Sequence, residues 1–181
     1  MIAVIDTSSL LSLVRYYLPF DKQSVLYNLF QEKIENGEIV LLDKVFEECK
    51  YTSKGIVIEK LIYISKKKHH LKTEELLPTK KFFNQLENQF INGSTKNKLN
   101  PVEFEERKSA FLNSADAKII LYCLQKNKSE KELYIVSEES ETSNDNKAFK
   151  KIPAICKILD LKIITLPELI GLYKGIDLEI K

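Results

Sequence analysis

Four acidic residues, Asp6, Glu48, Asp116 and Glu139, stand where an α/β chain can gather side chains from distant parts of the sequence. Asp6 ends the apolar run Ile2–Ile5 and is followed by Thr7, Ser8 and Ser9. Glu48 lies within a helical stretch after a second apolar run, Ile39–Leu42. Asp116 falls in the first turn of the helical run that begins after Ser114, and Glu139 follows the apolar stretch Leu133–Val136. In an open parallel sheet the strand ends and the starts of the following helices share one edge, so these four carboxylates can converge. Converging carboxylates repel one another and resist burial, and cations relieve both costs. Oxygen-only donors without His or Cys favour Mg²⁺ or Mn²⁺. Such ions suit phosphodiester hydrolysis: one lowers the pKa of an attacking water and a second stabilises the leaving oxygen. Three of the acids also have a plain structural explanation. Asp6 can end a strand, Asp116 can favour a helix N-terminus through the dipole, and Glu139 can belong to a solvated acidic loop.

The elements that would position these acids follow from hydropathy and turn chemistry. Ile2–Ile5 is short and wholly apolar, as a buried parallel strand is. A helix from about Ser8 to Tyr17 follows, with Ser8 or Ser9 as N-cap and Pro19 as its stop. A second helix starts near Asp21, buries Val25, Leu26, Leu29, Phe30 and Ile34, and stops at Gly37. Residues 38–42 form the second strand, and Asp43 caps a third helix reaching about Thr52. Successive helical residues point about 100° apart, so Glu47 and Glu48 cannot serve one point. Glu48, three residues after Val45, is the inward one. Residues 55–64 read as helix, although their β-branched content permits a strand, and 79–91 read as helix with Phe82, Phe83, Leu86 and Phe90 on one face. Residues 92–98 read as loop. Asn100, Pro101 and Glu103 make a strong helix start, and Ser114 caps the next helix. A third strand covers 132–136, a fourth 161–164, and Thr165-Leu-Pro-Glu168 launches the last helix through a capping box. The order implies a three-layer α/β sandwich: a central parallel sheet of about four strands with helices on both faces. One domain over 1–181 is expected, with a helical elaboration at about 53–98.

The 181 residues are 44% hydrophobic and 30% charged, the balance of a folded, water-exposed protein. No apolar run is long enough to span a bilayer or resembles a signal peptide, so the expected location is cytoplasmic, away from membranes. Cys49, Cys123 and Cys156 are too scattered for a zinc or disulfide framework and read as buried helix residues. The net charge of +2 conceals an asymmetry: residues 50–98 hold 11 Lys against 4 Glu, and the rest 17 basic against 22 acidic residues. A basic middle beside an acidic edge fits a polyanion partner. Lys66, Lys67, Lys68, Lys72, Lys80 and Lys81 are the candidate phosphate contacts, and His69 and His70, following three lysines, read as surface residues.

The series Ile-Asp6-Thr-Ser-Ser, Val45-Phe-Glu-Glu48, Ser114-Ala-Asp116-Ala and Ile135-Val-Ser137-Glu-Glu139 resembles a PIN domain. The stretch Lys150-Lys-Ile-Pro-Ala-Ile-Cys, with Leu166-Pro-Glu-Leu-Ile, is similar to the PIN-like DUF4411 branch. The resemblance covers about 1–52 and 109–173. It implies a Mg²⁺- or Mn²⁺-dependent endoribonuclease related to VapC-like toxins of type II toxin–antitoxin pairs, with RNA as substrate, a cognate antitoxin and a homodimeric form. Asp6, Glu48, Asp116 and Glu139 would be catalytic, with Asp6, Asp116 and Glu139 on the metal and Thr7, Ser8 and Ser137 as supporting polar groups. Many PIN domains carry a Thr-x-Asp motif where this chain has Ser137-Glu138-Glu139, so Glu138 or Asp145 competes for the role of fourth acid. The alternative is an inactive PIN-like module that binds RNA or protein. Another α/β phosphoryl-transfer enzyme fits less well, since Asp6-Thr7-Ser8 lacks a second Asp and no Gly-rich phosphate loop occurs.

Overall fold

β1 (Ile2–Ile5) is the axis of the molecule, and in it Ala3, Val4 and Ile5 are inaccessible to solvent. Three consecutive buried side chains point alternately to the two faces, so both faces must be covered. Burying each large aliphatic side chain is worth roughly 1.5–3 kcal/mol, and a charge at Val4 would forfeit that and strand itself in the core. The computed structural model describes residues 1–126, 132–141 and 148–173.

Among the described residues five parallel strands form the sheet in the order β3-β2-β1-β4-β5. β2 is Ile39–Leu42, β3 His70–Leu71, β4 Leu133–Val136 and β5 Ile163–Ile164. β2 is buried along its whole length, like β1. Among the described residues ten α-helices flank the sheet: α1 (Thr7–Ser12), α2 (Val25–Glu35), α3 (Asp43–Cys49), α4 (Ile56–Lys60), α5 (Lys80–Gln85), α6 (Gly93–Lys96), α7 (Pro101–Leu112), α8 (Ala115–Lys126), α9 (Ile152–Leu159) and α10 (Leu166–Leu172). The architecture is the three-layer α/β arrangement expected from the alternation of strands and helices. No helix of the described residues is long and apolar enough to cross a membrane.

The sheet has five strands rather than about four. The additional strand, β3, lies inside the elaboration, is only two residues long and follows a lysine run. Neither an apolar run nor alternation marks it. The elaboration is otherwise short α-helices, 3-10 turns and a π-helical turn over Leu86–Phe90. It closes back on the frame through an antiparallel bridge between Ile91 and Phe149, where Asn92 N–H donates to Ala148 O and Lys150 N–H to Phe90 O. Residues 93–96, expected as loop, form the single turn α6.

Several expected caps are seated differently. Asp6, not Ser8 or Ser9, caps α1, and α1 passes into a π-helical turn over Leu13–Tyr17. α2 starts later than expected, at Val25, with Ser24 left-handed; Asp21 still caps it at a distance by accepting from the N–H groups of Val25 and Tyr27. Asp43 is the first residue of α3, and its carboxylate holds Thr73 by hydroxyl (2.6 Å) and N–H (3.2 Å). The capping boxes at Asn100–Glu103 and Thr165–Glu168 form as expected, and the Ser114 hydroxyl accepts from Ala117 N–H. His69 and His70 are half-buried rather than free on the surface: His69 donates through Nδ1 to Tyr63 O at 2.8 Å with its side chain 3% exposed. His70 donates through Nε2 to Ile64 O and packs its ring 4.0 Å from that of Phe46. Both imidazoles satisfy carbonyls that the short 3-10 turns leave open. Cys49, Cys123 and Cys156 are free and buried, as their spacing implied.

Candidate functional site

The strand order reverses direction at β1, which has β2 on one side and β4 on the other. Such a switch point opens a crevice at the carboxyl ends of the strands, where α/β proteins seat ligands. Asp6 leaves β1 into this crevice and Ser137 leaves β4 beside it. Asp6 N–H donates to Val136 O at 3.0 Å, so the ladder itself fixes the position of Asp6.

Asp6 is 4% exposed and accepts three hydrogen bonds: from Thr7 N–H (2.7 Å), Ser8 Oγ (2.6 Å) and Ser137 Oγ (3.1 Å). The two hydroxyls also accept backbone N–H groups, Ser8 from Glu138 and Ser137 from Glu139. Each serine thus ties the loop after β4 to the Asp6 carboxylate. Among the described residues no cationic side chain pairs with Asp6. Burial raises its pKa most, the charge of Glu48 raises it further, and the hydrogen bonds from Ser8, Ser137 and Thr7 oppose the rise.

Glu48 meets this group through Thr7. The Thr7 hydroxyl donates to Glu48 Oε2 at 2.7 Å while the Thr7 N–H holds Asp6. Glu47 turns away and pairs with Lys44. The 3.6-residue period separated these two neighbours correctly in direction, although Glu48 as a whole is exposed. Cys49, fully buried beside Thr7, has its thiol pushed up to about 12 by burial first, with Glu48 and Asp6 adding to the rise.

Glu139 and Asp116 occupy a second zone. Glu139 Oε1 lies 3.5 Å from Lys151 Nζ, and its Oε2 is buried without a hydrogen-bond partner among the described residues. Asp116 lines a cleft of about 290 Å³ with Lys151, Lys150, Arg107 and the stacked pair Phe111 and Phe149. Glu138, considered as a fourth acid, is committed elsewhere: its Oε1 accepts from Leu166 N–H at 2.6 Å at the start of α10. Asp145 lies outside the described residues. The structure therefore links Asp6 directly with Glu48, Thr7, Ser8 and Ser137. Glu139 joins them through its backbone and Ser137, and Asp116 lies along the adjoining cleft.

The six candidate lysines of the elaboration are all exposed. Lys66 pairs with Glu35, at the end of α2 where the chain turns into β2, and so lies toward the opposite edge of the sheet from Asp6. Arg107, Lys150 and Lys151, which line the cleft, lie outside the lysine-rich middle that the sequence marks as basic. The sequence signal for two of them was present in the Lys150-Lys151 pair immediately before the Ile-Pro start of α9. Nothing local marked Arg107.

The donors suit a hard divalent cation in kind. Among the described residues Asp6 is buried without a cation, and Glu139 offers a buried oxygen with no hydrogen-bond partner. Among the described residues no three His, Cys, Asp or Glu side chains stand together as a ready cage. Mg²⁺ does not require one, since it is commonly held by one or two carboxylates with water filling the rest.

The fold and this crevice define a doubly wound α/β protein with an acidic group at its switch point. Within that class the chain belongs to the family described as Domain of unknown function (DUF4411), whose model matches residues 4–174. No curated protein and no solved structure matches the chain.

Proposed function

We propose that the protein is a Mg²⁺- or Mn²⁺-dependent endoribonuclease of PIN type, acting on RNA in the cytoplasm. One observation supports this reading: a buried Asp6 at the switch point, without a cationic partner among the described residues, bridged by Thr7 to a second carboxylate. A structure that buries a carboxylate there with hydrogen bonds but, among the described residues, no opposite charge gives up stability unless a ligand neutralises it. Asp6 and Glu139 would hold the ion, with Asp116 and Glu48 available beside them. The ion would supply an activated water at neutral pH and charge neutralisation at the phosphate. The protein's own contribution is positional. Ser8 and Ser137 fix the Asp6 carboxylate, Thr7 fixes Glu48, and the loop after β4 is held so that Glu139 faces the same edge. A type II toxin role, with a cognate antitoxin and a homodimeric form, extends this reading by resemblance to VapC-like proteins.

The test is cleavage of a labelled RNA by the wild type and Asp6→Asn in Mn²⁺, Mg²⁺ or EDTA. Cleavage that needs a metal and is lost in Asp6→Asn is expected. Equal cleavage by both proteins, or none in either metal, would refute the reading.

A second reading, an inactive PIN-like binding module, draws on Lys151. Its ammonium already stands 3.5 Å from Glu139 and can neutralise that acid without a metal. Under this reading Mn²⁺ leaves the melting temperature unchanged, because a ligand that does not bind the folded state cannot stabilise it.

A further inference from the structure

The cleft beside Asp116 is lined by Arg107, Lys150 and Lys151, three cations against one carboxylate. Among the described residues neither Arg107 nor Lys150 makes an ion pair or side-chain hydrogen bond, so their charge faces the cleft unneutralised. Lys150 also lines a second concavity, of about 570 Å³, with Lys96, Asn88 and Gln89. The two hollows therefore adjoin at Lys150, where residues 148–150 pair with 90–92 through the Ile91–Phe149 bridge. Their apolar floor includes Phe111 and Phe149, both nearly buried and so packed as support rather than presented for stacking. A track of cations over two joined hollows, ending at Asp116 and Glu139, matches a flexible linear polyanion better than a compact one.

We infer that single-stranded RNA enters the acidic site along this track, with Arg107 and Lys150 holding backbone phosphates, and that the Lys66–Lys68 run is not the substrate path. The inference rests on the ribonuclease reading for the identity of the strand. It assigns the elaboration a purpose: its residues 88–96 form the outer wall of the track, while Lys66 of its lysine run pairs with Glu35 and none of the three lysines lines either hollow. Contacts of this kind grip phosphate without reading bases, so affinity should depend on salt and little on sequence.

The experiment is binding of a fluorescein-labelled single-stranded RNA in EDTA, so that neither metal nor turnover contributes, followed by anisotropy over a salt series. Arg107→Ala/Lys150→Ala is compared with Lys66→Ala/Lys67→Ala/Lys68→Ala and the wild type, each checked for folding by circular dichroism. Each phosphate contact to a single strand contributes about 0.7 to the slope of log K against log salt. The Arg107/Lys150 variant should therefore lose about 1.4 of that slope and bind at least tenfold more weakly at 100 mM salt, while the Lys66–Lys68 variant keeps wild-type behaviour. The reverse pattern, or no RNA binding by the wild type, overturns the inference. Cleavage in Mn²⁺ is measured separately. Binding through Arg107 and Lys150 without cleavage sinks the ribonuclease reading and leaves the track standing. Cleavage that ignores both residues does the opposite.

Discussion

The Thr7 side chain and backbone hold two different carboxylates at once: its hydroxyl donates to Glu48 Oε2 at 2.7 Å and its N–H to Asp6 Oδ1 at 2.7 Å. One residue thus sets the distance between two like charges that would otherwise separate. A partner of this kind, one step removed from the reacting atoms, typically costs 10–100-fold in metal affinity or activity when removed. Thr7→Val should keep the fold, since it retains the branched shape at a buried position, and should lower Mn²⁺-dependent cleavage by about 10–100-fold. Thr7→Ser should restore most of it. Equal activity in Thr7→Val and wild type would show that Glu48 does not act.

The raised pKa of Asp6 has a sign that can be checked without any RNA. A carboxyl whose folded-state pKa lies above its ordinary value of 3.8 binds protons more tightly in the folded protein than in the unfolded chain. Stability contributed by protonated Asp6 is therefore present below that value and is lost as pH rises toward the folded-state pKa. Asp6→Asn carries no such loss. In EDTA, the variant should match the wild type in urea denaturation at pH 3.5 and exceed it at pH 7. Added Mn²⁺ should reverse the order at pH 7 by stabilising only the wild type. A wild type that gains on Asp6→Asn as pH rises in EDTA would mean that the hydrogen bonds from Thr7, Ser8 and Ser137 outweigh burial.

How far the sequence disclosed this arrangement depended on the range of the forces involved. The buried strands β1 and β2, the capping boxes at Asn100 and Thr165, and the different directions of Glu47 and Glu48 are written in local periodicity and cap chemistry, and they are legible. β3 is not, because a two-residue strand on the edge is specified by its neighbour β2 rather than by its own side chains. The commitment of Asp43 to Thr73, of Glu138 to α10 and of His69 and His70 to nearby carbonyls depends on where loops return, which pattern alone does not encode. Asp6 was found as an acid at a strand end; that it also caps α1 required the backbone at Thr7.

The Asp43–Thr73 pair offers a control for stability without chemistry. Thr73 is 1% exposed, and its hydroxyl and N–H both end on the Asp43 carboxylate. Thr73→Val removes the shorter bond and leaves the carboxylate one donor. Hydrogen bonds to charged groups contribute about 1.5–3 kcal/mol, so a loss in that range is expected on chemical denaturation. The Mn²⁺-induced shift in melting temperature should stay at its wild-type size. A variant that loses the metal response as well would place β3 and its following segment within the working site.

The cysteines should be silent in the folded protein. Burial pushes the thiols of Cys49 and Cys156 up to about 12 and raises that of Cys123, and the thiolate is the reactive form. At pH 8 an aromatic disulfide reagent should find no fast-reacting thiol until denaturant is added, and then three. One fast equivalent in the native protein would identify local opening, and mass mapping to Cys49 would locate it beside Thr7.

Glu138 and Glu139 are adjacent, and the structure gives them different work. Glu138 Oε1 accepts from Leu166 N–H, an otherwise open donor in the first turn of α10, so its removal is the loss of a helix cap. Such losses cost about 0.5–2 kcal/mol, and Glu138→Ala should fall in that range while keeping a wild-type response to Mn²⁺. Glu139 has one oxygen 3.5 Å from Lys151 and the other buried, with no hydrogen-bond partner among the described residues. Glu139→Gln removes its charge but not its volume, and leaves Lys151 without this carboxylate. It should weaken the Mn²⁺-induced rise in melting temperature and cut cleavage, with little change in stability in EDTA. The two variants measured side by side decide which residue is the fourth acid. If Glu138→Ala abolishes the metal response and Glu139→Gln does not, the roles assigned to the pair are exchanged.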